Sequence, residues 1–258
     1  MSLHTVDRIA YEIQGEGDAV LMIHGLGGSS NVWTPLMAAF SRNTVLRFDL
    51  PGSARSSRAD GTLSIARYVD ACLRVMSAAG IERAHVIGHS MGTIVAAHLA
   101  VTQPSMVKSL ALFGPLLAPP DPARPALRAR GAKARDEGMA GMHAIAETLA
   151  PASVATANRT RKPVALAYVR ESLMRQDPDG YARSCEALAD AQAADVSAVD
   201  CPVLLVTGDE DAVAPAQSVR LMADKFRNAR VEVLRECGHW TPTEQPEECM
   251  RLLERFYA

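Results

Sequence analysis

Gly88-His89-Ser90-Met91-Gly92 lies between a short apolar run with β-branched residues, Ala84-His85-Val86-Ile87, and an Ala-rich apolar run, Thr93-Ile94-Val95-Ala96-Ala97. The G-x-S-x-G pattern is short enough to arise from composition, so its setting carries the meaning. A strand that turns sharply into a helix forces the serine into a strained backbone conformation and lifts its hydroxyl above the sheet edge. Glycines on both sides suit a turn where neighbouring backbone leaves no room for a Cβ. A serine hydroxyl is a poor nucleophile until a base takes its proton. Two later loops offer that base and a carboxylate to orient it. Val203-Leu204-Leu205-Val206 leads to Thr207-Gly208-Asp209-Glu210-Asp211, and Val231-Glu232-Val233-Leu234 leads to Cys237-Gly238-His239-Trp240. Nucleophile, acid, histidine is one of the chain orders in which such triads occur. Of the seven histidines, His239 alone stands in that position. Asp209 follows its strand directly and is expected to shape the turn. That leaves Asp211 to fix the imidazole tautomer and stabilise the imidazolium. Ser90, Asp211 and His239 are therefore the expected catalytic residues.

His24-Gly25-Leu26-Gly27-Gly28 closes an early apolar run. Glycines there allow a backbone amide to point into a cavity, so the amides of Leu26 and Met91 are expected to form an oxyanion hole. A phosphate-binding glycine loop is the weaker alternative, because no P-loop lysine follows and no G-x-G-x-x-G is present. Gly25, Trp33 and Trp240 are expected at the substrate, with Met91 and apolar residues completing the wall. His24 and His89, each beside a loop glycine, read as packing or supporting residues.

These loops need a scaffold that brings strand ends to one edge. Strands are expected at 4–6, 8–14, 19–24, 44–49, 84–88, 107–113, 203–208 and 229–234, several apolar at consecutive positions as in sheets covered on both faces. Helical stretches are expected at 63–79, which carries an apolar stripe, at the apolar, Ala-rich 91–102, and at 216–226 and 244–257. Ser64 is placed as an N-cap and Gly80 as a C-terminal cap residue. The alternation predicts an α/β fold with a mostly parallel, doubly wound sheet. Between 113 and 201 no strand is expected. A proline-rich turn at 115–125 precedes helical stretches at 126–137, 139–149, 161–175 and 179–194. The expected organisation is a core of 1–114 and 200–258 with a helical cap, 115–199, inserted over the sheet edge; flanking helices are the alternative.

The 258 residues are 48% hydrophobic and 22% charged, with a net charge of −2, as for an ordinary globular enzyme. That balance argues against nucleic-acid or anionic-membrane partners, which favour a basic face. Five cysteines, an odd number with no C-x-x-C pair, fit neither a disulfide framework nor a zinc site, and point to a reducing compartment. The first residues carry no apolar signal region, and no run approaches the ~20 residues of a membrane span, so the cytoplasm is the expected location. No metal or organic cofactor is expected. Assembly into a homo-oligomer stays open.

Together, His24-Gly25-Leu26-Gly27-Gly28, Gly88-His89-Ser90-Met91-Gly92, Gly208-x-x-Asp211 and Gly238-His239 resemble the α/β-hydrolase family. The segment from Phe48 to Ser56 resembles that family's D-x-x-G-x-G-x-S loop, with Ala54 in place of the second glycine. In the cap, 133–139 and 179–188 are similar to the 3-oxoadipate enol-lactonases. Those enzymes commonly carry Asn-Ser-Leu-Gly where this chain has His24-Gly25-Leu26-Gly27, and Leu where His89 stands. The Gly238-His239-Trp240 ending is similar to that of C–C bond hydrolases of aromatic breakdown. The resemblance implies hydrolysis of a small-molecule ester or lactone through an acyl-enzyme. Alternatives are C–C hydrolysis with the same triad, or a non-catalytic ligand-binding member of the fold. An enol-lactone of aromatic breakdown carries a carboxylate, which needs a partner when buried. Arg128 and Arg135 share one helical face, and Arg130 and Lys133 share another. One of these pairs is expected to face the cavity if the lactonase reading holds; otherwise all four are solvated.

Overall fold

In β3 (Asp18–Ile23), Val20 and Met22 point to one face of the sheet and Leu21 and Ile23 to the other, and all four are fully buried. A strand apolar on both faces must be covered on both, which calls for helical crossovers. The computed structural model describes residues 2–57 and 61–257. Among these, eight strands form one sheet in the order β1-β2-β4-β3-β5-β6-β7-β8. β1 (Ser2–Val6) pairs antiparallel with β2 (Ile9–Gln14), and β2 pairs antiparallel with β4 (Asn43–Phe48). From β4 through β3, β5 (Ala84–His89), β6 (Val107–Phe113) and β7 (Val203–Gly208) to β8 (Ala229–Leu234), every pairing is parallel. Arg8, expected to open β2, lies instead in the turn before it; Asp7 and Arg8 both have left-handed backbone, φ 47° and 66°, as tight hairpins require.

Helix α1 (Ile65–Ala78) buries Tyr68, Val69, Cys72, Val75 and Met76 against the face that carries Leu21 and Ile23. The Ser64 side chain accepts from the Arg67 amide as its N-cap. α2 (Met91–Thr102) is buried on nearly all sides, so its sequence shows no polar stripe. The opposite face, with Val20, Met22, Ile87 and Phe113, is covered by α9 (Pro246–Tyr257) and by a 3-10 segment, Ser30–Phe40, which the sequence pattern had not indicated.

Between β6 and β7 run α3 (Arg124–Ser153), α4 (Asn158–Arg161), α5 (Pro163–Met174) and α6 (Pro178–Asp190). The two stretches expected at 126–137 and 139–149 join into one helix broken at Gly138 (φ 59°, ψ −136°). The helix expected to start at 161 instead begins at Pro163. Lys162 (φ −127°, ψ 61°) leaves helical geometry because the residue before proline disfavours it. α3 packs along α5 and α6, and the insert is tied to the core by the Ser172 hydroxyl, which donates to Gly27 O (2.7 Å). α7 (Ala216–Ala223) and α8 (Thr241–Glu244) complete the elements. Among the described residues, no helix is long and apolar enough to cross a membrane.

Candidate active site

The sheet order reverses between β3 and β5, and in open parallel sheets the ligand crevice lies beyond the strand carboxyl ends at such a switch point. β3 delivers the loop from His24 to Gly28 there, and β5 delivers Ser90. Ser90 has φ 52° and ψ −120°, a conformation costly for any residue with a Cβ. Its surroundings over-determine it. The Ser90 amide donates to Phe113 O (2.9 Å), and its carbonyl accepts from the Thr93 amide (2.8 Å) and hydroxyl (2.6 Å). A Cβ on Gly88 would meet Gly92 O at 2.6 Å, and one on Gly92 would meet Ile23 O at 2.2 Å. The two glycines of the motif are thus required by close backbone approach.

Ser90, His239 and Asp211 meet. The Ser90 hydroxyl lies 2.9 Å from His239 Nε2, and His239 Nδ1 lies 2.9 Å from Asp211 Oδ2 and 3.1 Å from Oδ1. All three side chains are buried. Burial pushes the Asp211 carboxyl up. The charge and hydrogen bond of His239 and the amides of Ala214 and Val213 outweigh it and bring the group down to about 2. A carboxylate that stays ionised fixes the imidazole proton on Nδ1, leaving Nε2 free to accept from Ser90. Asp209 does not reach His239; its carboxylate accepts from the Cys237 amide (3.2 Å) and shapes the turn.

Ser90 and His239 open onto a cavity of about 290 Å³ whose wall includes Leu26, Leu116, Leu127, Leu173 and Trp240. That is the liquid volume of roughly ten waters, enough for a small organic molecule. A larger polar cavity of about 490 Å³, with Glu12, Asp49 and Arg55 in its wall, lacks the serine and histidine.

A model of the alpha/beta hydrolase family matches residues 20–252. The chain belongs to that family. It is similar over 253 residues, at 30% identity, to a 2-hydroxymuconate semialdehyde hydrolase of Pseudomonas putida, covering 95% of this chain and 89% of that one. The enol-lactonase from Burkholderia xenovorans LB400 superposes with a TM-score of 0.90 at 28% identity, over 99% of each chain. A thermophilic esterase from Thermogutta terrifontis, at 24% identity, shares the fold with a TM-score of 0.91, over 96% of this chain and 92% of that one.

In this alpha/beta hydrolase, two expected substrate contacts are placed elsewhere. Trp33 is fully buried in the core, packed edge-on to Phe113 with ring centroids 6.2 Å apart. The 3-10 segment that carries it turns Val32, Trp33, Leu36 and Phe40 inward together. Gly25 packs beneath Ser90 instead of lining the cavity: a Cβ there would meet Ser90 Cβ at 2.7 Å. That close approach brings the adjoining Leu26 to the nucleophile. Trp240 and Leu26 are in the wall of the cavity onto which Ser90 and His239 open.

The supporting histidines have defined jobs. His24 Nε2 faces the Leu50 amide (2.9 Å), which can only donate, so the ring proton sits on Nδ1 and is donated to Gly25 O (2.8 Å). Burial pushes its pKa down and keeps that neutral tautomer. His89 Nε2 donates to His239 O (2.9 Å); burial, reinforced by the charge of His239, brings His89 down to about 3.

Two further residues had no sequence signal. Glu244, fully buried, accepts from the Ala155 amide (2.9 Å), Asn158 Nδ2 (2.9 Å) and the Gly238 amide (3.1 Å), joining the insert to the His239 loop. Gln176, also buried, donates to Gly27 O and Gly28 O (3.2 Å each) and accepts from Ala54 N (3.1 Å). Ala54 itself has φ 43°, so the alanine occupies a left-handed position that favours glycine. Among the described residues, no group of three or more His, Cys, Asp or Glu side chains could hold a metal ion.

Proposed function

We propose that the chain is a serine hydrolase that cleaves a carboxylic ester or lactone through an acyl-enzyme. The observation that carries this reading is the continuous hydrogen-bonded chain Ser90–His239–Asp211 at the mouth of a mostly apolar cavity. Ser90 Oγ attacks the carbonyl as His239 Nε2 takes its proton, giving a tetrahedral adduct. The adduct collapses as His239 returns the proton to the departing alkoxide or enolate oxygen. Water then adds to the acyl-enzyme with His239 again as base, and Ser90 leaves protonated. The amides of Leu26 and Met91 receive the oxyanion. Met91 is the first residue of α2, where a helix offers its own amides no acceptor and the dipole favours negative charge. The chemistry requires neither a metal nor an organic cofactor.

C–C hydrolysis is a second reading, favoured by the 30% identity to the semialdehyde hydrolase. It uses the same serine and histidine, so substrate discriminates where the triad does not. The test is a panel of p-nitrophenyl esters, lactones, an enol-lactone and a vinylogous diketone, with wild type and Ser90→Ala in parallel. Turnover of esters and lactones that falls on the order of a millionfold in Ser90→Ala, with the fold retained, is expected. Retention of a tenth of the rate excludes the nucleophile. Cleavage of the diketone alone replaces ester hydrolysis with the second reading. Tight product retention without turnover makes the chain a binding member of the fold.

A further inference from the structure

The α3 cations are mostly satisfied within the insert. Arg128 pairs with Asp190, Lys133 with Glu137 (2.8 Å), and Arg135 with Glu186 (2.7 Å) and Asp179 (3.3 Å). Of the four, only Arg130 lines the cavity, so neither expected pair faces it whole. Arg230, at the far side of the molecule's sheet, is different. It lies on β8, which ends the sheet and has β7 as its sole strand neighbour among the described residues. Its side chain is exposed, lies 3.9 Å from Glu232, and makes no hydrogen bond among the described residues. The backbone of β8 is open as well. Asn228 O accepts from the Val203 amide and Leu234 O from the Asp209 amide, both at 2.9 Å. Backbone groups alternate in direction along a strand, so the even-numbered residues face β7. The amides and carbonyls of Ala229, Val231 and Val233 therefore point away from the sheet. Such an edge is a template for another strand.

The side chains of β8 select the strand that fits. Glu232 pairs with Arg255 of α9, so Arg230 and Glu232, two apart, share the face on the α9 side. Ala229 and Val231 turn to the other face, toward Val219, Met222 and Phe226. A second β8 can lie antiparallel to the first about a two-fold axis at Val231. Val231 then faces Val231 of the second copy and Ala229 faces Val233, and these outward-pointing residues exchange N–H···O bonds. Arg230 of each chain falls directly opposite Glu232 of the second copy, where Cα atoms are about 4.5 Å apart and opposite charges stabilise the pair. The nearest registers that keep the outward groups paired lie two residues to either side. One sets Arg230 against Arg230, the other Glu232 against Glu232, and like charges directly opposite disfavour both. β1, the opposite edge of the sheet, carries no Asp, Glu, Lys or Arg and prescribes no register. We propose that the chain forms a two-fold dimer in which the sheet continues from β8 of one copy into β8 of the other, fixed by Arg230 and Glu232.

The test is sedimentation velocity over a dilution series, with circular dichroism to verify folding. Wild type is expected to be a dimer that dissociates on dilution. Arg230→Glu sets two carboxylates opposite each other at both symmetric contacts, and Glu232→Arg sets two guanidinium groups there. Each should weaken the dimer Kd at least about tenfold. The double exchange, Arg230→Glu with Glu232→Arg, returns an opposite pair to each contact and should recover a Kd within about threefold of wild type. Val231→Pro removes an amide that points outward, so it costs no bond to β7 and leaves the fold in place. It also removes the central pair of the junction and should leave a monomer. A wild type that stays monomeric throughout the series overturns the proposal. Single reversals with a Kd within about threefold of wild type overturn it too, because the dimer then uses another surface. A double exchange no tighter than the single reversals overturns the pairing of Arg230 with Glu232.

Discussion

Replacing Asp211 by Asn exchanges one carboxylate oxygen for an NH2 and should disable His239 through its tautomer. In the folded chain, Oδ1 of Asp211 accepts from the amides of Val213 and Ala214, both at 2.8 Å. Those donors are fixed backbone, so the carbonyl oxygen of an asparagine must occupy that place. Its NH2 then falls at the Oδ2 position, 2.9 Å from His239 Nδ1 and 3.3 Å from the Thr207 hydroxyl oxygen. The Thr207 proton is directed at Ala214 O (2.6 Å), so its oxygen is free to accept from the NH2, which reinforces the orientation. An NH2 cannot accept from Nδ1–H. The carbonyl oxygen at the Oδ1 position, 3.1 Å from Nδ1, is already taken by the two backbone amides, so the NH2 is expected to donate to Nδ1 and shift the imidazole proton to Nε2, which faces Ser90 Oγ at 2.9 Å and can then no longer take the serine proton. The expected loss in kcat is roughly ten-thousandfold, or about 5 kcal/mol of transition-state stabilisation. Asp209→Asn keeps a carbonyl acceptor for the Cys237 amide, removes only the charge, and should cost less than about tenfold. Initial rates on p-nitrophenyl acetate, with circular dichroism to verify folding, measure both. An Asp211→Asn enzyme within tenfold of wild type, or greater damage from Asp209→Asn, would refute the reasoning.

Two other expectations concern stability. Glu244→Ala strands the Ala155 and Gly238 amides and Asn158 Nδ2 in a buried site, and should lower unfolding free energy by about 3 kcal/mol; a urea midpoint unchanged from wild type would remove Glu244 as the tie between insert and core. The Asp211 carboxyl is held at about 2 against an ordinary 3.8, so it binds its proton less readily folded than unfolded. Its contribution, about 2 kcal/mol, is fully present above the ordinary value and disappears as pH falls from about 4 to about 2. The stability gap between wild type and Asp211→Asn should narrow by that amount between pH 6 and pH 2, and a constant gap counts against it.

Much of the scaffold was legible because its causes are local. Continuous apolar runs gave the parallel strands to within a residue or two, since a strand buried on both faces has no polar alternation to hide. The glycines around Ser90 announced the strand–turn–helix because the crowding they relieve comes from adjacent backbone and from the neighbouring strand end. Chain order alone put a histidine loop and an acidic loop at the edge where Ser90 emerges. Helix limits were less legible at Gly138 and Lys162, where one residue's backbone angles decide whether a helix continues.

The rest depends on partners far apart in sequence. Trp33 looked like a cavity residue, because an aromatic side chain after a glycine loop reads the same whether it faces a pocket or a core; the docking of Phe113, eighty residues later, decides. Glu244 and Gln176 look like ordinary surface residues in the sequence, and only the meeting of the insert with the His239 and Gly27 loops turns them into buried ties. The α3 cations show the limit most directly. Helical spacing assigned Arg130 and Lys133 to one face, as the structure has it, but spacing carries no information about which carboxylates lie opposite. Local sterics and periodicity are written into neighbouring residues, whereas which charges are satisfied is a property of packed surfaces and is decided only when the insert closes over the sheet.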